Sequence, residues 1–168
     1  MNHPIRVAIA ALLCVGVAAC AKKVKPTDKP TEPARSTHAE PAKGGKYTRD
    51  SLETDPCLRQ RVVYFDFDKS EIKGEFQAQI ACHAEYLRQF PDARVSLEGN
   101  ADERGTREYN LGLGERRGNA VQSALVAAGA GSSQLNVVSY GEERPVCKEH
   151  GESCWSKNRR VEIVYTVK

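Results

Sequence analysis

The chain has 168 residues, of which 28% are charged and 7% aromatic, and its formal net charge is +3. That length accommodates one ordinary domain plus extensions. The charge is too small and too evenly spread for a nucleic-acid binder, and the sequence has no long basic block, no RNA-binding aromatic signature and no internal repeat.

Residues 1–19 read as a targeting segment. Arg6 supplies a positive start, and VAIAALLCVGVAA (7–19) is an apolar run too short to span a bilayer comfortably. The run ends in VAAC, with small residues directly ahead of Cys20. This arrangement resembles a bacterial lipobox, which implies that residues 1–19 are removed and that Cys20 is acylated. Two or more acyl chains anchor a protein stably where one does so only marginally. Ala21 is not the aspartate of an inner-membrane retention signal. The expected location is therefore the outer membrane, with the folded part in the periplasm.

Residues 20–53 are dominated by Lys, Pro, Thr, Glu and Ala and carry almost no large apolar side chain. Such a stretch cannot bury enough surface to offset its ordering entropy. It is expected to be a flexible tether, on the order of 100 Å when fully extended.

The folded domain is expected over 54–168. RVVYFDF (61–67) is β-branched and aromatic and predicts a strand. Ser70 can cap a helix in which Ile72, Phe76, Ile80, Ala84 and Leu87 recur at helical spacing until Pro91. ARVSLEG (93–99) alternates as a second strand, and a second helix is expected from Thr106 to Ala128, ending at Gly129. QLNVVSYG (134–141) and RRVEIVYTV (159–167) complete four strands. The order βαβαββ predicts an α+β fold: a two-layer α/β sandwich with helices on one face of a mixed four-stranded sheet.

Four cysteines remain after Cys14 leaves with the signal and Cys20 takes lipid: Cys57, Cys82, Cys147 and Cys154. An oxidising compartment favours disulfides, with three possible pairings. The short polar loop between Cys147 and Cys154 favours that pair, and with it Cys57–Cys82. In CKEHGESC a zinc site of Cys147, His150 and Cys154 is the competing reading, but it lacks a fourth ligand.

The second helix poses the main question. Gly112, Gly114 and Gly118 fall inside it, although each glycine costs about 1 kcal/mol relative to alanine in a helix interior. Gly114 and Gly118 lie one turn apart and would permit close approach of a neighbouring backbone or ligand. Arg117 shares the apolar stripe of Leu113 and Val121, so it must be paired or sit at a rim. Asp102 leaves the second strand close by in this reading. The two groups are expected either to form an ion pair or to face one cleft, where aspartate would receive an ammonium and arginine would grip a carboxylate.

Four segments carry a resemblance: VYFDFDKSEI (63–72), LEGNADERGTREYNLGLGERR (97–117), VVSYGEERP (137–145) and WSKNRRVEIVY (155–165). Together they resemble the OmpA-like peptidoglycan-binding domain over nearly all of residues 62–168. The resemblance implies that Asp102 and Arg117 bind meso-diaminopimelate of the peptidoglycan stem peptide and that Leu113 contacts its aliphatic part. The backbone around Phe65, Asp66 and Phe67, and the loop at Asn158 and Arg159, would complete the pocket. Asn100 stands where the family usually has histidine, and Gly118 where alanine is common. The resemblance also implies the Tol system, notably TolB, as partner during cell constriction, and the ADERGTREYN run favours this over a wall-binding lipoprotein outside that system.

No cofactor or metal is expected. A wall hydrolase using two of Asp66, Asp68, Glu98, Asp102 and Glu103 is the competing enzyme reading. It lacks supporting context, and the FDFD aspartates alone are weak evidence for calcium. His83 lies on the first helix's apolar stripe and is expected to be a packed core histidine. Tyr109 and Tyr140 are expected in core or rim packing.

Overall fold

The computed structural model describes residues 45–168. The targeting segment, Cys20 and most of the expected tether lie outside the described residues.

The elements are α1 (Ser51–Thr54), β1 (Val62–Tyr64), α2 (Gln77–Gln89), β2 (Arg94–Asn100), α3 (Arg107–Ala127), β3 (Leu135–Gly141), α4 (Glu152–Asn158) and β4 (Arg160–Val167). Short 3-10 turns precede α2 and β3. The sheet order is β1-β4-β2-β3. β4 runs antiparallel to both β1 and β2, while β2 and β3 are parallel. Parallel neighbours need a long crossover, and α3 provides it. The sheet is thus mixed and four-stranded, as expected.

Strand alternation places Val63, Val95, Leu97, Val161, Ile163 and Tyr165 on the buried side. Register aligns them in rows, with Leu97 between Ile163 and Val137, and Val95 between Tyr165 and Leu135. Ile80, Ala84 and Leu87 of α2 and Val121 and Leu125 of α3 complete one core with them. Ser96, Glu98, Glu162 and Val164, on the other side of the strands, stay half-buried.

His83 is enclosed in that core. Its Nε2 lies 2.9 Å from the Gln60 carbonyl, which can only accept, so Nε2 carries the proton. Nδ1 then accepts from the Tyr165 hydroxyl at 2.9 Å. Burial pushes the imidazole down to about 4, against the opposing pull of the Gln60 bond.

Three expectations shift. The first strand ends at Tyr64, short of residue 67, because the chain turns as Lys69 N–H bonds the Asp66 carbonyl. The first helix starts at Gln77, so Ser70 is not its cap. Segment 69–73 is held by tertiary bonds instead: the Lys69 carbonyl accepts from Arg117, and Lys73 pairs with Asp66 at 2.8 Å. Finally, the packed body reaches back before residue 54. Tyr47 and Leu52 belong to the core, and Tyr47 N–H bonds Gln89 Oε1 at 2.9 Å. A lone Tyr and a lone Leu five residues apart in a polar stretch carry too little periodicity to mark this.

Both preferred disulfides are present, Cys57–Cys82 and Cys147–Cys154. The second removes both thiolates that a zinc site would need. It also closes the loop leading into α4, a helix the sequence pattern did not reveal.

Candidate functional site

Three chain segments converge on one open cleft of about 170 Å³. The turn after β1 contributes Phe67 and Asp68. The loop after β2 contributes Asp102, Arg104 and Gly105. The first turns of α3 contribute Tyr109, Asn110 and Leu113. Asp68 sits at φ 56°, a left-handed conformation that aspartate tolerates better than most side chains. Its carboxylate accepts a short bond from the Tyr109 hydroxyl. Thr106 Oγ1 caps α3 by accepting from Tyr109 N–H at 3.2 Å, which fixes where the helix begins beneath the cleft.

The glycines of α3 seat that helix on the sheet. A Cβ at Gly99 of β2 would collide with the carbonyl oxygen of Gly114, and one at Gly114 would stand 2.8 Å from the Gly99 carbonyl oxygen. A Cβ at Gly118 would lie 2.5 Å from Val137 Cγ1. The close approach read from the sequence is therefore helix against strand, not helix against ligand. A Cβ at Gly112 would meet only the Arg116 guanidinium, at 3.3 Å, so the seam does not account for that glycine.

Arg117 is fully buried at 0% exposure. It donates Nε to the Lys69 carbonyl at 2.8 Å, Nη1 to the Asn100 carbonyl at 2.9 Å and Nη2 to the Asp66 carbonyl at 3.0 Å. Its guanidinium lies 5.3 Å from the Phe65 ring centroid. Burial lowers its pKa to about 10, so it stays charged at neutral pH. It ties α3 to the turn after β1 and to the end of β2. It is not among the residues that line the cleft and does not hydrogen-bond Asp102, so the direct ion pair of the two is not formed. The physical reason is geometric: three main-chain carbonyls surround the guanidinium and satisfy it there.

Asp102 does line the cleft but is only 4% exposed. Its Oδ1 accepts from Arg104 N–H at 3.1 Å and Arg104 Nε at 3.0 Å. Its Oδ2 accepts from Arg104 Nη2 at 2.7 Å and Arg159 Nη1 at 3.2 Å. Burial pushes the carboxyl up, but these bonds outweigh it and hold its pKa below the ordinary aspartate value.

The sequence reading passed over Arg104. Its guanidinium lies between two rings, 3.9 Å from the Phe67 centroid and 4.2 Å from the Trp155 centroid. Trp155, on α4, is itself anchored by donating Nε1 to Glu103 at 2.6 Å. His150 Nδ1 contacts the same carboxylate at 2.6 Å, and that bond raises the His150 pKa. Thus the disulfide-closed segment 147–154 and α4 brace Arg104 from behind the cleft lining. Only the run DERG itself, with a guanidinium two residues beyond the aspartate, could have flagged Arg104.

The remaining expected residues stand behind the cleft. Phe65 is buried, and its carbonyl accepts Arg159 Nε at 3.0 Å. Asp66 is exposed and ion-paired with Lys73. Asn158 accepts from Val146 and Cys147 N–H and donates to the Cys147 carbonyl at 2.7 Å, folding the loop that carries Trp155. Arg159 bridges Asp102 and Glu152. Of the carboxylates of the enzyme reading, Asp68 and Asp102 both line the cleft, where Asp102 is taken up by Arg104 and Arg159 and Asp68 by Tyr109, while Glu98 projects from the sheet's half-buried side, where Arg144 is its ion partner at 3.7 Å.

The sequence profile described as the OmpA family matches residues 64–159, a span that holds every residue of this cleft. The chain is 49% identical over 107 residues to a peptidoglycan-associated lipoprotein of Haemophilus influenzae, covering 64% of this chain and 70% of that protein. To one of Mesorhizobium japonicum it is 38% identical over 159 residues, covering 95% of this chain and 89% of the relative. The crystal structure of the peptidoglycan-associated lipoprotein from Burkholderia pseudomallei superposes with a TM-score of 0.68 at 43% identity, covering 69% of this chain and 98% of that one. With the family profile covering more than half of the chain, and a relative aligned along nearly all of it, the chain belongs to the OmpA family.

Proposed function

We propose that this chain binds peptidoglycan non-covalently and tethers the outer membrane to the cell wall. The ligand is the zwitterionic end of meso-diaminopimelate in the stem peptide. The observation that carries this reading is the cleft itself, where apolar surface from Leu113 and Phe67 meets carboxylate and guanidinium groups. A methylene chain ending in an ammonium and a carboxylate complements such a lining, because a planar guanidinium fits a carboxylate bidentately. The names of the relatives, peptidoglycan-associated lipoproteins, support the same reading. The chain is a binding protein and not an enzyme.

In this reading Leu113 and Phe67 touch the aliphatic part of the ligand. Arg117, Phe65, Asp66, Asn158 and Arg159 hold the surrounding walls, and Asp102 fixes the loop between them. Acylated Cys20 anchors the chain in the outer membrane. The segment after it spans the distance to the wall, and the folded domain works in the periplasm. TolB is the proposed protein partner, and the setting is constriction of the envelope at cell division.

The test is sedimentation of the full chain with purified sacculi. Sacculi whose stem peptides carry meso-diaminopimelate should pull the chain down, and sacculi carrying lysine at that position should not. Equal sedimentation with both, or with neither, would overturn the diaminopimelate reading. Cys20→Ser should release the chain from membranes while leaving its sedimentation with sacculi intact.

A further inference from the structure

The cleft lies at one end of the sheet, and the segment that enters the domain from residue 45 is fastened at the other. β1 and β2 are each antiparallel to β4, so they run parallel to one another, and the loops that follow both of them line the cleft. Asp102 follows β2, and its partner Arg159, at 3.2 Å, directly precedes β4. At the far end, Asp92 lies just before β2 and Lys168 directly after β4. Arg49 holds both: its Nη2 meets Asp92 at 2.7 Å, and its Nη1 donates to the Lys168 carbonyl. Glu53 pairs with the Lys168 ammonium at 2.7 Å. The strand between the two ends, β2, has 7 residues and is about 23 Å long.

Segment 45–56 is held by separable contacts. Tyr47 exchanges two hydrogen bonds with the Gln89 side chain, its N–H donating at 2.9 Å. Its ring lies 6.3 Å from that of Tyr86, and the Arg49 guanidinium lies 4.9 Å from the Phe90 centroid. Leu52 is fully buried. Among the described residues no strand ladder ties this segment to the sheet. Then comes Cys57, joined to Cys82 in the middle of α2. The shortest covalent route from the segment to the cleft therefore crosses this disulfide, follows α2 and β2 and reaches Asp102. It bypasses residues 58–81, β1 among them.

We propose that the domain is built to carry tension between a membrane anchor and a wall-bound cleft: segment 45–56 is a strap that peels first, peeling stops at Cys57–Cys82, and the load then crosses the sheet along β2. This rests on the tethering reading above. Hydrogen bonds between antiparallel strands stand perpendicular to the strands. A pull along β2 thus loads the β2–β4 ladder, registered from Val95 to Gly99, all at once and does not open it bond by bond. The disulfide keeps β1, an edge strand of 3 residues paired with β4 alone, out of the loaded route.

Single-molecule force spectroscopy of the mature chain tests this. One handle is placed on the unacylated Cys20 thiol and the other on an azide-bearing residue in place of Glu108, which is exposed in the first turn of α3. The first step should release about 40 Å of chain, the span of segment 45–56 at 3.3–3.6 Å per residue, and the remainder should hold to a higher force. With the second handle moved to Lys168, at the strap's own end of the sheet, the remainder should yield at a lower force. Tyr47→Ala should lower the force of the first step and leave its length unchanged. Cys57→Ser with Cys82→Ser should lengthen that step. Step length reads where peeling stops and not how stable the domain is, so the general stability lost with a disulfide does not imitate this outcome. A longer first step in the unaltered chain, or an unchanged one in the double cysteine variant, overturns the stop at Cys57. Equal later forces from the two handle positions overturn the route along β2. Either failure in a chain that still sediments with diaminopimelate sacculi leaves the tethering reading standing. The expected steps in a chain that does not sediment overturn that reading and leave the strap and ladder in place.

Discussion

Two arginines thirteen positions apart sit on opposite sides of one cleft wall and are built in opposite ways. Arg117, in the floor, is closed in by main-chain carbonyls and packs against Phe65, where α3 meets the sheet through glycines. Arg104, at the rim, is held by side chains alone: a carboxylate along one edge and an aromatic ring on each face. The floor is made of contacts that any ligand-free fold of this kind must keep. The rim is made of contacts that depend on α4 and its disulfide, and it leaves donor capacity unspent. Damage to the floor should therefore appear as lost stability, and damage to the rim as lost specificity.

The largest expected effect is in the floor. Arg117→Ala removes three hydrogen bonds to main-chain carbonyls together with a fully buried side chain and should cost about 3–5 kcal/mol in urea unfolding. Arg104→Ala should cost less in the same assay, because Asp102 keeps Arg159. Equal losses would erase the distinction between floor and rim.

Next is the pH response of the core under the floor. The His83 pKa is depressed from 6.5 to about 4, so the unfolded chain binds a proton that the folded chain refuses between these values. Its contribution is fully present above pH 6.5 and is lost as pH falls toward 4, by about 3 kcal/mol in all. Unfolding free energies of the unaltered chain and His83→Asn, measured across that window, should converge as the pH falls.

The two disulfides sharpen the comparison further. Cys57–Cys82 spans a sequence separation of 25 and Cys147–Cys154 one of 7. On loop-closure entropy, paired Cys→Ser replacement should cost about 3.5 kcal/mol for the first and about 2.5 kcal/mol for the second. The smaller loss should nonetheless be the one that reduces discrimination between the two stem peptides, since only that bridge braces Trp155. Gly99→Ala is of another kind: its Cβ would stand 2.0 Å from the Gly114 carbonyl oxygen and force β2 and α3 apart, so it should cost at least about 3 kcal/mol, read from thermal unfolding.

The strands and long helices were legible because each carries an uninterrupted period, as in RVEIVYTV for β4 or the Leu113, Val121, Leu125 stripe of α3. α1 and α4 were not: each is a helix of two turns or fewer, too short for periodicity, and α4 is set by a disulfide, by Asn158 and by contacts to a distant loop. The delayed start of α2 was hidden for the same reason, since the bonds that hold 69–73 away from helix come from residues far along the chain. At the site, sequence placed Asp102, Leu113 and Phe67 at the cleft and saw that Arg117 had to be compensated. It could not see that the compensation comes from carbonyl groups, which carry no side-chain signature. Nor could it see that Trp155, fifty-one residues after Arg104, closes over that guanidinium.

The most direct test is to watch both guanidinium groups at once while the ligand enters. In nuclear magnetic resonance spectra of the full chain, the Nε–H signals of Arg104 and Arg117 can be followed during titration with a stem peptide bearing free meso-diaminopimelate. Movement of either signal that saturates with ligand concentration, and that is absent with a peptide carrying lysine in place of diaminopimelate, is the predicted result. Two stationary signals, or equal movement with both peptides, would contradict the diaminopimelate reading of the cleft.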